Sequence, residues 1–162
     1  MVQATTTYGF IGLGQMGHGM AKNIRQKIPE NCNLVIYDVK EEAMTDFVND
    51  FGNGSNILAA ASPKQVAELA VSLYSHSFSK QSKTKQTLKD VIMTSVPKAP
   101  HVKDVFLNPD TGLLAMRKTP GRRILFLELS TVDAAASTEV ARAVIDGGFG
   151  DFVDAPCSVS LP

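Results

Sequence analysis

The sequence predicts an α/β domain built on a doubly wound parallel sheet. Short, near-continuous apolar runs alternate with helix-like segments from one end of the 162 residues to the other. Strands buried on both faces read as such runs, and the intervening helices supply the crossovers that parallel strands require. The length allows one domain of ordinary size with a single sizeable core.

The elements follow in order. Tyr8 to Ile11 reads as a first strand beginning by about Thr7, and Gln15 to Lys27 as a helix with Met16, Met20, Ile24 and Ile28 on one side. Leu34 to Tyr37 is a second strand, followed by a helix from about Glu41 to Phe51. Ile57 to Ala60 is a short third strand, and Pro63 to Ala70 a helix opened by Ser62 as its cap with Pro63 in the first turn. Val91 to Val96 is a fourth strand and Ala99 to Leu107 a helix. Ile124 to Leu129 is a fifth strand, Asp133 to Asp146 a helix ended by Gly147 and Gly148, and Phe152 with Val153 a sixth strand.

Composition narrows the partners. Sixteen basic side chains balance sixteen acidic ones, so no global field draws in nucleic acid or an anionic membrane, and neither is expected as a partner. No apolar run approaches the roughly 20 residues that span a bilayer. Cys32 and Cys157 stand far apart and form no zinc-ligand spacing, which predicts reduced thiols and no metal site. Met1 to Thr6 is too short a leader for a signal peptide, so a cytoplasmic location is expected.

One motif points to a ligand. Gly12, Gly14 and Gly17 have the G-x-G-x-x-G spacing, which alone is weak. Here it follows a strand, opens a helix, and has Asp38 at the end of the second strand, 21 residues beyond Gly17. That context is the dinucleotide-binding fingerprint of a Rossmann-type fold. Gly12 takes the tight turn, Gly14 lets the pyrophosphate approach the backbone, and Gly17 lets the helix close on the sheet. The amides at the helix start, with Leu13, Gln15 and Met16 alongside the glycines, would face the phosphates. Asp38 would accept both hydroxyls of the adenosine ribose and repel a 2′-phosphate, so NAD is expected over NADP. Asp38 as a simple turn residue is the alternative.

GLGQMGHGMAKN, the strand end TSVP at Thr94 to Pro97, ELSTVD at Glu128 to Asp133 and DAP at Asp154 to Pro156 together resemble the β-hydroxyacid dehydrogenases. These motifs occur in the family's order and cover the chain apart from one serine- and lysine-rich stretch. The resemblance implies oxidation of a small 3-hydroxy acid to its semialdehyde. It puts Val96, Pro97 and His101 along the nicotinamide half of the cofactor and Thr131 near the nicotinamide ribose. Ser130, Thr131 and Ser158 would contact the substrate carboxylate. Helix capping is the other reading of Thr131, with Asp133, and a solvent-facing position that of His101. A mitochondrial location and a homo-oligomer are also implied by the family.

Two stretches depart from that pattern. Val71 to Lys89 holds five serines and four lysines with no acidic residue, and reads as a disordered insertion in a domain spanning 1–158. Val159 to Pro162 replaces the family's Ser-Gly-Gly continuation after Ser158 and reads as a foreign tail. Both begin Val-Ser-Leu, and Val-Ser can be encoded as GTA-AGT, a splice-donor sequence, so both are expected to be translated intron. On this reading the chain stops before the family's helical second domain and the helix carrying its catalytic lysine. A non-catalytic nucleotide-binding fragment is then the alternative to an active dehydrogenase.

Overall fold

The computed structural model describes residues 6–51, 56–75, 90–119 and 123–157. Six strands form one sheet: β1 (Thr7–Ile11), β2 (Asn33–Tyr37), β3 (Ile57–Ala59), β4 (Asp90–Thr94), β5 (Ile124–Glu128) and β6 (Gly150–Asp154). Their order is β3-β2-β1-β4-β5-β6, and every neighbouring pair is parallel. The helices are α1 (Gln15–Lys27), α2 (Glu41–Phe51), α3 (Pro63–Ser75), α4 (Ala99–Leu107) and α5 (Ala134–Asp146), with a 3-10 turn at Leu113–Ala115 that the sequence pattern did not disclose. The Rossmann-type doubly wound sheet is therefore borne out.

Strand pleat sorts the apolar side chains into two cores. Ile11, Val35, Ile92 and Phe126 face one way, against Val66 and Ala70 of α3, Val102 and Phe106 of α4 and Val140 of α5. Phe10, Leu34, Ile36 and Met93 face the other way, against Ala21 of α1 and Phe47 of α2. Successive residues of one strand thus lie in different cores, and both faces of the sheet are apolar. Each large side chain taken out of water contributes about 1.5–3 kcal/mol.

The helix termini follow local chemistry. Ser62 Oγ accepts from the Gln65 amide at 3.2 Å, and Gln65 Oε1 accepts from the Ala61 amide at 2.5 Å, so α3 opens with reciprocal capping bonds. Asp133 caps α5 by accepting from the Ala136 amide at 2.9 Å. At the other end of α1, the buried Arg25 guanidinium donates to the carbonyls of Cys32 (2.7 Å) and Pro29 (3.0 Å), fixing the turn into β2.

Three expectations are corrected. Met20, Ile24 and Ile28 of the apolar side of α1 pack half-buried against the core, but Met16 is 42% exposed, and the fully buried positions of the helix are Gly17, Ala21 and Arg25. Helix α3 continues to Ser75, so 71–75 are helical rather than loop. Propagation adds a bond for each residue fixed, and no glycine or proline interrupts this run. The rest of the expected insertion, 76–89, and the expected tail lie outside the described residues. Finally, β4 ends at Thr94, two residues short of Val96: the Val96 amide turns to a side chain and Pro97 has no N–H to offer.

Gly12 has φ +95°, and a Cβ there would overlap the carbonyl oxygen of Ser95; a Cβ on Gly17 would overlap the carbonyl oxygen of Gly12. Both overlaps are with backbone, which cannot swing aside. Gly17→Ala is therefore expected to cost about 2 kcal/mol or more, read as a melting temperature lowered by several degrees in circular dichroism.

Candidate functional site

The sheet order reverses direction between β1 and β4. Chains leaving β1 and β4 therefore turn to opposite sides, and a crevice opens at the carboxyl ends of the strands, where doubly wound sheets bind ligands. A cavity of about 340 Å³ lies there, walled by Gly14 to Gly17 on one side, Ser95 to Pro97 on a second, and Leu129 to Thr131 with Cys157 on a third. A second, of about 650 Å³, lies beside Asp38 and is walled by Val39, Met44, Ala60, Ala61 and Gln65.

The loops lining the crevice are joined edge to edge. The Gly12 amide donates to Tyr37 O (2.9 Å), Ser95 to Ile11 O (2.8 Å), Leu129 to Thr94 O (2.9 Å) and Ala155 to Glu128 O (2.8 Å). Each loop is thus tied to the last carbonyl of a neighbouring strand. The ladder sets the start of each wall.

The first wall is built for an anion. Gly14 caps α1 without a side-chain acceptor, so the amides at the helix start face the cavity with the positive end of the helix dipole. A Cβ at Gly14 would meet no atom within 4 Å, so no packing within the protein calls for glycine there. Its lack of a side chain leaves the backbone there open to close approach. Leu13 contributes differently from expectation: its amide is engaged by Asp38 Oδ2 at 2.7 Å and its side chain is buried in the α1–α2 core.

Asp38 has the turn role weighed for it and also ties down the glycine loop. Its Oδ1 accepts from the Lys40 amide at 2.8 Å, a local turn bond, while Oδ2 holds the glycine loop. Each oxygen keeps acceptor capacity toward the second cavity. Val39, 85% exposed, and the Ala61–Gln65 side of that cavity were not singled out from sequence, which offered no signal beyond their nearness to Asp38 and to the cap of α3.

Residues expected at the nicotinamide, the substrate and the phosphates share one cavity, with two exceptions. Val96, Pro97 and Thr131, with Ser130 and with Gln15 and Met16, all line the smaller cavity. His101 does not line it; it is exposed on the first turn of α4. Ser158 lies outside the described residues. Capping of α5 belongs to Asp133, since the Thr131 hydroxyl donates to Cys157 O at 3.3 Å and Ser130 Oγ accepts from the Val96 amide at 2.8 Å.

Sequence reasoning passed over Glu128. It is fully buried at the end of β5, where Oε1 accepts from the Ser130 amide at 2.8 Å and Oε2 from the Thr94 hydroxyl. A carboxyl closing the otherwise apolar run Ile124 to Leu127 was the available signal. Cys157 was likewise missed as a cavity residue, while Cys32 is buried far from it in the α1–β2 turn. Among the described residues no cluster of His, Cys, Asp and Glu could hold a metal ion, and no helix is long and apolar enough to cross a membrane.

A glycine turn at the switch point, an uncapped helix start, a carboxylate after β2 and an apolar-walled cavity after β4 define a domain that binds a nicotinamide dinucleotide. Comparison with known proteins agrees. The model for the NAD binding domain of 6-phosphogluconate dehydrogenase matches residues 7–160, and the chain belongs to that family. It is 32% identical over 157 residues to human mitochondrial 3-hydroxyisobutyrate dehydrogenase, covering 97% of this chain and 37% of that protein. The mouse protein of the same name is 31% identical over 153 residues, covering 94% and 36%. The chain thus spans little more than a third of the length of these relatives. A protein of known structure from Mycobacterium avium 104 superposes with a TM-score of 0.63 at 25% identity, covering 94% of this chain and 42% of that one. The scyllo-inositol dehydrogenase of Lactobacillus casei shares the fold, with a TM-score of 0.53 at 15% identity, covering 95% and 37%.

Burial pushes the Glu128 acid above the ordinary 4.5; bonds from Ser130 and Thr94 pull it partly back, and the Asp154 carboxylate pushes it further up. The unfolded chain then releases this proton at lower pH than the folded one. Between the two values the folded state binds more protons, so the contribution of Glu128 to stability falls as pH rises. The melting temperature of Glu128→Gln is expected to gain on that of the unsubstituted protein as pH rises above 4.5. A difference independent of pH would contradict this.

Proposed function

We propose that the chain binds NAD as the dinucleotide-binding part of a dehydrogenase that oxidises a small 3-hydroxy acid, such as 3-hydroxyisobutyrate, to its semialdehyde. The observation that carries it is the uncapped start of α1, open at Gly14, at the mouth of a cavity continuous in chain order with TSVP and ELSTVD. The residues present fit the cofactor. The amides of Gln15 and Met16 bind the pyrophosphate, and Asp38 orients the adenosine ribose and disfavours a 2′-phosphate. Val96, Pro97 and Leu129 keep water from the nicotinamide half.

The bound nicotinamide supplies the hydride acceptor. Ser130 and Thr131 lie within the same cavity wall and are proposed to orient the substrate carboxylate, together with Ser158. In the family resemblance the hydroxyl proton goes to a lysine on the helix joining two domains. That step belongs to the part of the relatives that this chain does not match. The names of the human and mouse relatives supply the substrate reading.

Calorimetric titration tests the cofactor assignment. NAD is expected to bind about tenfold or more tightly than NADP, and Asp38→Asn to narrow that gap; equal or tighter NADP binding would overturn the preference. Gly14→Val is expected to keep the fold, because nothing within the protein opposes a side chain there. It should nonetheless weaken NAD by about tenfold or more through its clash with the pyrophosphate.

Cys157 offers an independent readout. It is exposed at the cavity, whereas Cys32 is buried, so a maleimide should label Cys157 first. Saturating NAD is expected to slow that labelling severalfold. Unchanged labelling in the presence of bound NAD would remove the nicotinamide half from this cavity.

A further inference from the structure

We propose that Glu128 is a positioning residue for the nicotinamide half of the cofactor, holding the loops after β4 and β5 in one arrangement through Thr94, Ser130 and the Val96 amide. This rests on the cofactor reading above and assigns a residue that touches neither cofactor nor substrate.

The geometry begins with register. Thr94, Glu128 and Asp154 are direct partners across β4, β5 and β6, so they form one row at the carboxyl edge of the sheet. On β6, Asp154 Oδ2 accepts from Ser137 Oγ in the first turns of α5 at 2.7 Å. In the middle of the row, Glu128 receives the Thr94 hydroxyl on one oxygen and the Ser130 amide on the other. Ser130 Oγ then accepts from the Val96 amide at 2.8 Å.

A connected path results. The Val96 N–H donates to Ser130 Oγ, and the Ser130 N–H donates to the Glu128 carboxyl. Its two ends matter differently. Val96 and Ser130 lie on adjoining walls of the smaller cavity, while Glu128 is fully buried. The Val96 amide falls beyond the last ladder pair of β4, so Ser130 is its partner in place of a strand. Ser130 in turn is fixed at its backbone by the bond from its amide to Glu128, which places its oxygen where the Val96 amide meets it.

A leucine at 128 would fill the same space without orienting anything. The consequence is confined to one half of the site, because the adenosine side has its own ties, Leu13 to Asp38 and Gly12 to Tyr37. A residue needed only for folding would affect both halves alike.

The test uses the intact chain and two probes: NADH, followed by nicotinamide fluorescence, and ADP-ribose, which lacks the nicotinamide, followed by calorimetry. In Glu128→Ala, ADP-ribose should bind within about twofold of the unsubstituted protein, while NADH should weaken about tenfold and lose its emission change on binding. Glu128→Gln should recover most of the NADH signal, since its amide oxygen still accepts from Ser130 and its nitrogen can donate to Thr94. If Glu128→Ala does not fold, Thr94→Val is read in its place, with the same selectivity and a loss of about threefold. Wild-type NADH affinity and emission in the variant that folds, or equal weakening of NADH and ADP-ribose, would overturn the assignment alone. An unsubstituted chain that binds neither probe would overturn the cofactor reading and this assignment together.

Discussion

Parallel pairing is the constraint on which the rest of the molecule depends. With all six strands running the same way, every connection leaving a carboxyl end opens on one edge of the sheet. Those connections would be free to splay. They are held because backbone amides past the strand ends still find the last carbonyls of neighbouring strands, at Gly12, Ser95, Leu129 and Ala155. The site is therefore an extension of the ladder, and its walls inherit the spacing of the strands.

That constraint explains where the glycines had to be. The turn from β1 into α1 is pressed between the carbonyl of Ser95 and the first turn of its own helix, so Gly12 and Gly17 are held by backbone on both sides. Gly14 is not. Its freedom from protein contacts separates a requirement of folding from a requirement of binding within a single five-residue spacing, which the motif alone leaves merged.

How much could be read in advance follows the same division. Apolar runs and their breaks gave six strands and five helices, because burial on both faces is written directly into composition. The apolar side of α1 was legible in Met20, Ile24 and Ile28, which pack against the core, while the fully buried Gly17 and Ala21 carry too little hydropathy to announce their burial. Residues 71–75 were misjudged because the polarity of the whole 19-residue stretch was assigned to its beginning, although helix extension responds only to the next few residues. The glycine turn and Asp38 were legible as a set since their spacing is local. His101 was carried over from resemblance and stands away from the cavity. Glu128 had no such spacing: its partners come from two strands and a loop that only the fold brings together.

The buried carboxyl then has a physical account. Removing an acid from water is unfavourable, and an apolar residue of similar size would commonly be as stable. At the end of β5, however, the chain leaves the ladder to build a cavity wall, and the Ser130 amide and hydroxyl and the Val96 amide leave it together. Ser130 Oγ serves the Val96 amide, while the Ser130 amide and the Thr94 hydroxyl need an acceptor at the strand end. A glutamate at the last strand position has the length and the two oxygens to serve the Ser130 amide and the Thr94 hydroxyl at once. Its unfavourable burial goes with holding loop backbone in place, and that is why the polar row lies at the carboxyl edge of an otherwise apolar sheet.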